Sequence, residues 1–133
     1  MMNEHLPLII MNRIPHRLQR YDTTGDFFEL SGVLHIAVST MGVDMEVETL
    51  LHELFEWHLC QKAGVTVAMV DAWDFGHPEL EDPGSHPDCP YREQHMKAMR
   101  ISKVAVKLMG YRWNEYNKAY DELADRLSEE RET

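Results

Sequence analysis

The chain has 133 residues, enough for one domain with a modest core. Its hydrophobic fraction of 44% and charged fraction of 27% are those of an ordinary soluble globular protein. The formal net charge of -10 argues against general nucleic-acid binding, which needs a basic surface to neutralise phosphates. No stretch approaches the roughly 20 apolar residues of a membrane span. The apolar run from Leu6 to Met11 is short and lacks the flanks of a signal peptide. Cys60 and Cys89 are the only cysteines, and their number does not decide for or against a disulfide. The expectation is a cytoplasmic, reduced protein with no membrane partner.

Residues 7–11 read as a short first strand. Arg13, Arg17 and Arg20 follow as a charged, solvated segment, and Asp22 to Asp26 carry turn chemistry. Phe27 to Leu30 predicts a strand, Ser31-Gly32 a two-residue turn, and Val33 to Thr40 the returning strand of a hairpin. In that strand Leu34, Ile36 and Val38 alternate with His35, Ala37 and Ser39, the pattern of a half-buried or edge strand.

From Met45 to about Lys62 the period becomes helical, with Val47, Leu50, Leu51, Leu54, Trp57 and His58 on one broad face and Gly64 as the stop. Thr66 caps a short helix from Val67 to Phe75, ended by Gly76. Residues 76–90 hold four prolines, two glycines and four acids, a long loop of the kind that is functional or mobile. A helix from Tyr91 to Met109 follows. A last one starts near Asn114 and buries Tyr116, Tyr120, Leu123, Ala124 and Leu127, with a charged tail from Ser128 that frays. The fold class is α+β: small N-terminal antiparallel strands, then about four helices, in one domain over 1–133.

The chemistry concentrates in His52-Glu53-Leu54-Phe55-Glu56, an H-E-x-x-E stretch on the first long helix. His52 and Glu56 are four residues apart and so lie one above the other, with Glu53 about 100° round the helix. Thr49 and Cys60 point the same way. The alternatives are a shared metal cleft or the solvated side of an amphipathic helix. A third ligand has to come from elsewhere, and His95 is the choice, inward-facing beside Ala98 and Met99. A hydrogen-bonded core histidine is the other reading of it. Asp71 and Asp74 could add a fourth ligand or orient a histidine, or serve as caps or surface groups. A mixed histidine and carboxylate set suits zinc, with manganese or iron as alternatives. His58 lies on the apolar face as a core or interface histidine. His77, His86 and Cys89, with Cys60, form a weaker structural-zinc pattern without a C-x-x-C pair.

Thr49-Leu50-Leu51-His52-Glu53-Leu54 resembles the entry to the active helix of small zincin-type zinc metallopeptidases, whose signature carries a second histidine where this chain has Glu56. The resemblance covers roughly residues 33–60. It implies a minimal zincin-like fold and a zinc-dependent hydrolase of peptide or amide bonds with Glu53 as general base. It also implies that residues 34–40 are an edge strand pairing with an extended substrate. Gln19-Arg20-Tyr21, Thr24-Gly25-Asp26, Val70 to Asp74, and Pro90-Tyr91 with His95 are similar to a group of small bacterial and phage proteins, which implies a shared fold and no activity. Tyr91 reads as an oxyanion donor or as a core aromatic. The competing function is a non-catalytic interaction protein, with a structural metal or none. In that reading Trp57, Trp113, Tyr116 and Tyr120 serve a protein partner or a homodimer.

Overall fold

The computed structural model describes residues 5–132. It contains three strands, β1 (Ile9–Ile14), β2 (Gly25–Leu30) and β3 (Val33–Ser39), followed by four helices. These are α1 (Val43–Ala63), α2 (Val67–Gly76), α3 (Arg92–Leu108) and α4 (Trp113–Glu132). The α+β architecture expected from the sequence is the one observed. Ser31 and Gly32 both take positive φ, 52° and 77°. That is the turn geometry whose twist matches paired strands, and it sets the antiparallel register from Leu30 opposite Val33 to Gly25 opposite Val38.

β1 joins differently. It runs parallel to β3, from Ile9 opposite Leu34 to Ile14 opposite Ser39, so the sheet is mixed and its order is β1-β3-β2. β3 is therefore the central strand and not an edge. Both its ladders are occupied, and no substrate strand can add to it. Central placement also explains why Ala37 and Ser39 are buried along with Leu34, Ile36 and Val38.

α1 departs most from its sequence pattern. Leu50, Leu54 and Trp57 pack on the core as expected, but Val47 is 44% exposed and His58 is exposed too. The buried face is the polar stripe, with Thr49, His52, Glu53, Glu56 and Cys60 turned inward. α1 is packed between the sheet and α3, so its polar side has protein on both flanks. Gly64 ends it in the left-handed conformation, φ 75°, as predicted.

Three further expectations are corrected. Arg13 and Arg20 are not merely solvated: Arg13 pairs with Glu46 at 2.6 Å, and Arg20 grips Asp26 and Asp71. The C-terminal segment does not fray but stays helical to Glu132. Arg131 Nη1 donates to the carbonyls of His16, Arg17 and Gln19, and Ser128 Oγ donates to Asp22, which pins the helix end. Thr133 lies outside the described residues. The aromatic set is not a partner surface: Trp57 and Tyr116 are buried, and Trp113, Tyr116 and Tyr120 stack in series. No helix among the described residues is long and apolar enough to cross a membrane.

Candidate metal centre

α1 and α3 bring His52, Glu56 and His95 together. One donor atom from each lies within 4.8 Å of the other two, and this is the only such group among the described residues. Glu56 Oε2 sits between the imidazoles, 3.0 Å from His52 Nε2 and 2.8 Å from His95 Nδ1. The rings meet edge to face at 4.9 Å. Glu53, one residue after His52, places Oε2 3.9 Å from the same Nε2. All four side chains line one cleft of about 1010 Å³.

The partners behind these side chains determine which atoms face the cleft. Ser102 Oγ donates to Glu48 Oε2 at 3.0 Å, so its oxygen is left to accept from His52 Nδ1 at 3.3 Å. The Nδ1 tautomer leaves the Nε2 lone pair toward Glu56. Two lone pairs facing at this distance need a proton or a cation between them. His95 is backed by Asp82, whose Oδ1 lies 3.2 Å from Nε2, although that nitrogen has no aligned hydrogen bond. A histidine whose far nitrogen meets a carboxylate, directly or through a hydroxyl, is the usual support of a metal ligand. Glu48, Ser102 and Asp82 fill this role, which the sequence reading gave to Asp71 or Asp74. Nothing in the sequence flagged them, because each acts through a contact 13 to 54 residues away.

Two glycines seat the site. A Cβ on Gly25 would lie 2.6 Å from Thr49 Cγ2 and 2.9 Å from Glu53 Cγ. A Cβ on Gly84 would lie 2.6 Å from both Cγ and Nδ1 of His95. Real Cβ atoms do not approach so closely, so β2 can press on Glu53 and the 76–90 loop on His95 only because both positions lack a side chain. That loop covers the site: its short turn at Pro83–Ser85 packs on α3, and Trp73 Nε1 holds Pro83 O at 2.9 Å.

Burial and close contact shift the titrating groups of the cluster in opposite directions. Burial, and then the neighbouring Glu56, push the Glu53 carboxyl well above its ordinary range. Glu56 is also buried, but the adjoining imidazoles of His52 and His95 outweigh burial and hold it low. Burial alone would lower His95; Asp82 and Glu56 reverse this and push it up to about 10. Asp74 is pushed up to about 6, by burial first and with Glu56 contributing.

The remaining sequence candidates fall elsewhere. Asp71 is engaged by Arg20. Asp74 accepts from Tyr21 and Tyr91 hydroxyls, so Tyr91 is a buried aromatic whose donor is taken and not a free oxyanion donor. His58 is exposed, against the core reading. His77 stacks on Trp73 and bonds its carbonyl. Cys60 and Cys89 are buried and free. These groups do not gather into the second, structural zinc pattern. No family model matches the chain, and no curated protein or solved structure is significantly similar to it.

Proposed function

We propose that the chain is a metal-dependent hydrolase of peptide or amide bonds, with zinc held by His52, Glu56 and His95. The observation that carries this is the supported triad of donors facing Glu53 at the floor of a cleft. Two nitrogens and one carboxylate oxygen are a donor set zinc accepts, and three protein ligands leave a position open for chemistry. Manganese or iron would fit the same atoms less selectively. The residues also fit the charge of a dication, since the Glu53 and Glu56 carboxylates with the nearby Asp74 would balance it.

When bound, the metal would polarise a substrate carbonyl and make water more acidic. Glu53 takes the proton of the attacking water and returns it to the leaving nitrogen. A carboxyl raised by burial is a stronger base than a solvated one, which suits work near neutral pH. Ser102 and Asp82 hold the two imidazoles in the orientation the ligands need. Burial and free thiols at Cys60 and Cys89 suit a reducing compartment.

The test is zinc content and turnover on one preparation. Wild type dialysed against zinc should retain it near stoichiometrically and cleave members of a mixed peptide library read by mass spectrometry. Glu53→Gln should keep the zinc and lose at least about 100-fold in rate. A wild type that retains no zinc, manganese or iron would sink the reading.

A further inference from the structure

The wall of the cleft carries a charge pattern that the metal centre does not use. On α4, Asp121, Asp125 and Glu129 are spaced four apart and line it along one helix face. Glu79 and Glu81 line it from the 76–90 loop. Among the described residues, no lysine or arginine lines the cleft. Asp121 is pushed above its ordinary value by burial, then by Asp125 and by Asp82. Among the described residues, none of Asp121, Asp125 and Glu129 is in an ion pair. Arg20 instead holds Asp26 and Asp71, and Arg131 caps the carbonyls of His16, Arg17 and Gln19.

A second observation points to a ligand with a backbone. Thr49 lines the same cleft, is only 4% exposed, and its hydroxyl has no hydrogen-bond partner. The nearby Tyr120 hydroxyl bonds Thr24. Leaving a buried hydroxyl unsatisfied is costly, and a bound amide would recover that cost.

We infer that the substrate is an extended peptide segment rich in lysine and arginine, seated between α4 and the 76–90 loop with its scissile amide at Glu53. This rests on the hydrolase reading above. Unpaired carboxylates on both walls attract cationic side chains and repel acidic segments and phosphates. Thr49 offers the main chain a donor and an acceptor. The cleft volume of about 1010 Å³ admits several residues. A small polyamine would satisfy the charges but has no amide to present.

The experiment measures fluorescence anisotropy of a labelled lysine–glycine peptide and a labelled glutamate–glycine peptide on the full chain. It uses wild type, D121N/D125N/E129Q, and a control D88N/E93Q/E115Q with the same charge change outside the cleft. The lysine peptide should bind wild type and the control alike, and bind the cleft variant about tenfold more weakly. The glutamate peptide should not bind. Equal weakening in both triple variants, or none in the cleft variant, overturns the inference. Zinc titration of the same three proteins keeps the two readings apart. The cleft variant should bind zinc as wild type does, whereas failure of wild type to bind zinc strikes the hydrolase reading and leaves the peptide result to be judged alone.

Discussion

His16 and His52 both line the cleft, both are buried, and both hold a serine through Nδ1, Ser39 Oγ at 2.8 Å and Ser102 Oγ at 3.3 Å. They differ at Nε2. His16 Nε2 meets one carboxylate, Asp22 at 2.7 Å, whose oxygen also accepts from Ser128. His52 Nε2 meets Glu56, which also faces His95, with Glu53 close by. The first cluster has the residue types of a serine–histidine–aspartate triad, but Ser39 is 0% exposed and no carbonyl can reach it. Gln19 and Arg131 complete it by tying its backbone and serine to β3 and α4. The same side chains thus make a structural joint between β3 and α4 in one place and a cluster of facing donors in the other. The number of donors gathered at Nε2 separates the two, and residue type does not.

The largest expected effect separates them by metal. Outer partners of metal ligands are worth about 10–100-fold in affinity, so removing a ligand should cost more than about 100-fold. His95→Ala should lose zinc by this margin in a calorimetric titration, and His16→Ala should titrate as wild type. A His16→Ala that also loses zinc would merge the two clusters into one site. Stability should show the reverse preference. His16→Ala removes a buried imidazole together with its bonds to Ser39 and Asp22 and leaves a cavity beside β3, and should cost about 2–3 kcal/mol in urea unfolding. A loss under about 0.5 kcal/mol, the size of an ordinary surface change, would mean the joint is not structural.

How much of this was legible follows the range of each interaction. The hairpin, the caps at Thr66 and Gly64, and the alignment of His52 with Glu56 depend on neighbours within a few residues, and all were readable. His95 was reached because an inward imidazole on α3 needed a partner. β3's central place was not readable, because the parallel pairing of β1 joins segments some 25 residues apart. α1 misled for a physical reason: its periodicity marks an apolar side, yet burial went to the polar side, where Ser102 and His95 bond His52 and Glu56, groups that could not otherwise leave water. Gly25 looked like turn chemistry and Gly84 like loop composition. Their use as contact surfaces for Glu53 and His95 exists only once the chain is folded.

The smallest effect gives the comparison a sign. Asp74 stands on the metal side with its carboxyl raised to about 6 from an ordinary 3.8, by burial that its tyrosine bonds do not offset. The folded protein then holds this proton more tightly than the unfolded chain. Stability from this group rises as pH falls from 7 through 6 and levels off below 3.8. Asp22 stands on the His16 side with its carboxyl below 3.8, because bonds from His16 and Ser128 outweigh its burial. Its contribution is present above 3.8 and is lost as pH falls further through its lowered value. Urea unfolding of Asp74→Asn at pH 7 and 5 should therefore lack a gain on acidification of about 1 kcal/mol that wild type shows. Asp22→Asn should keep that gain and lose less than wild type between pH 4 and 2. Variants that shift the curves in the same direction would mean that the two clusters carry the same charge balance, and the charge argument for a cation at His52, Glu56 and His95 would fall with that difference.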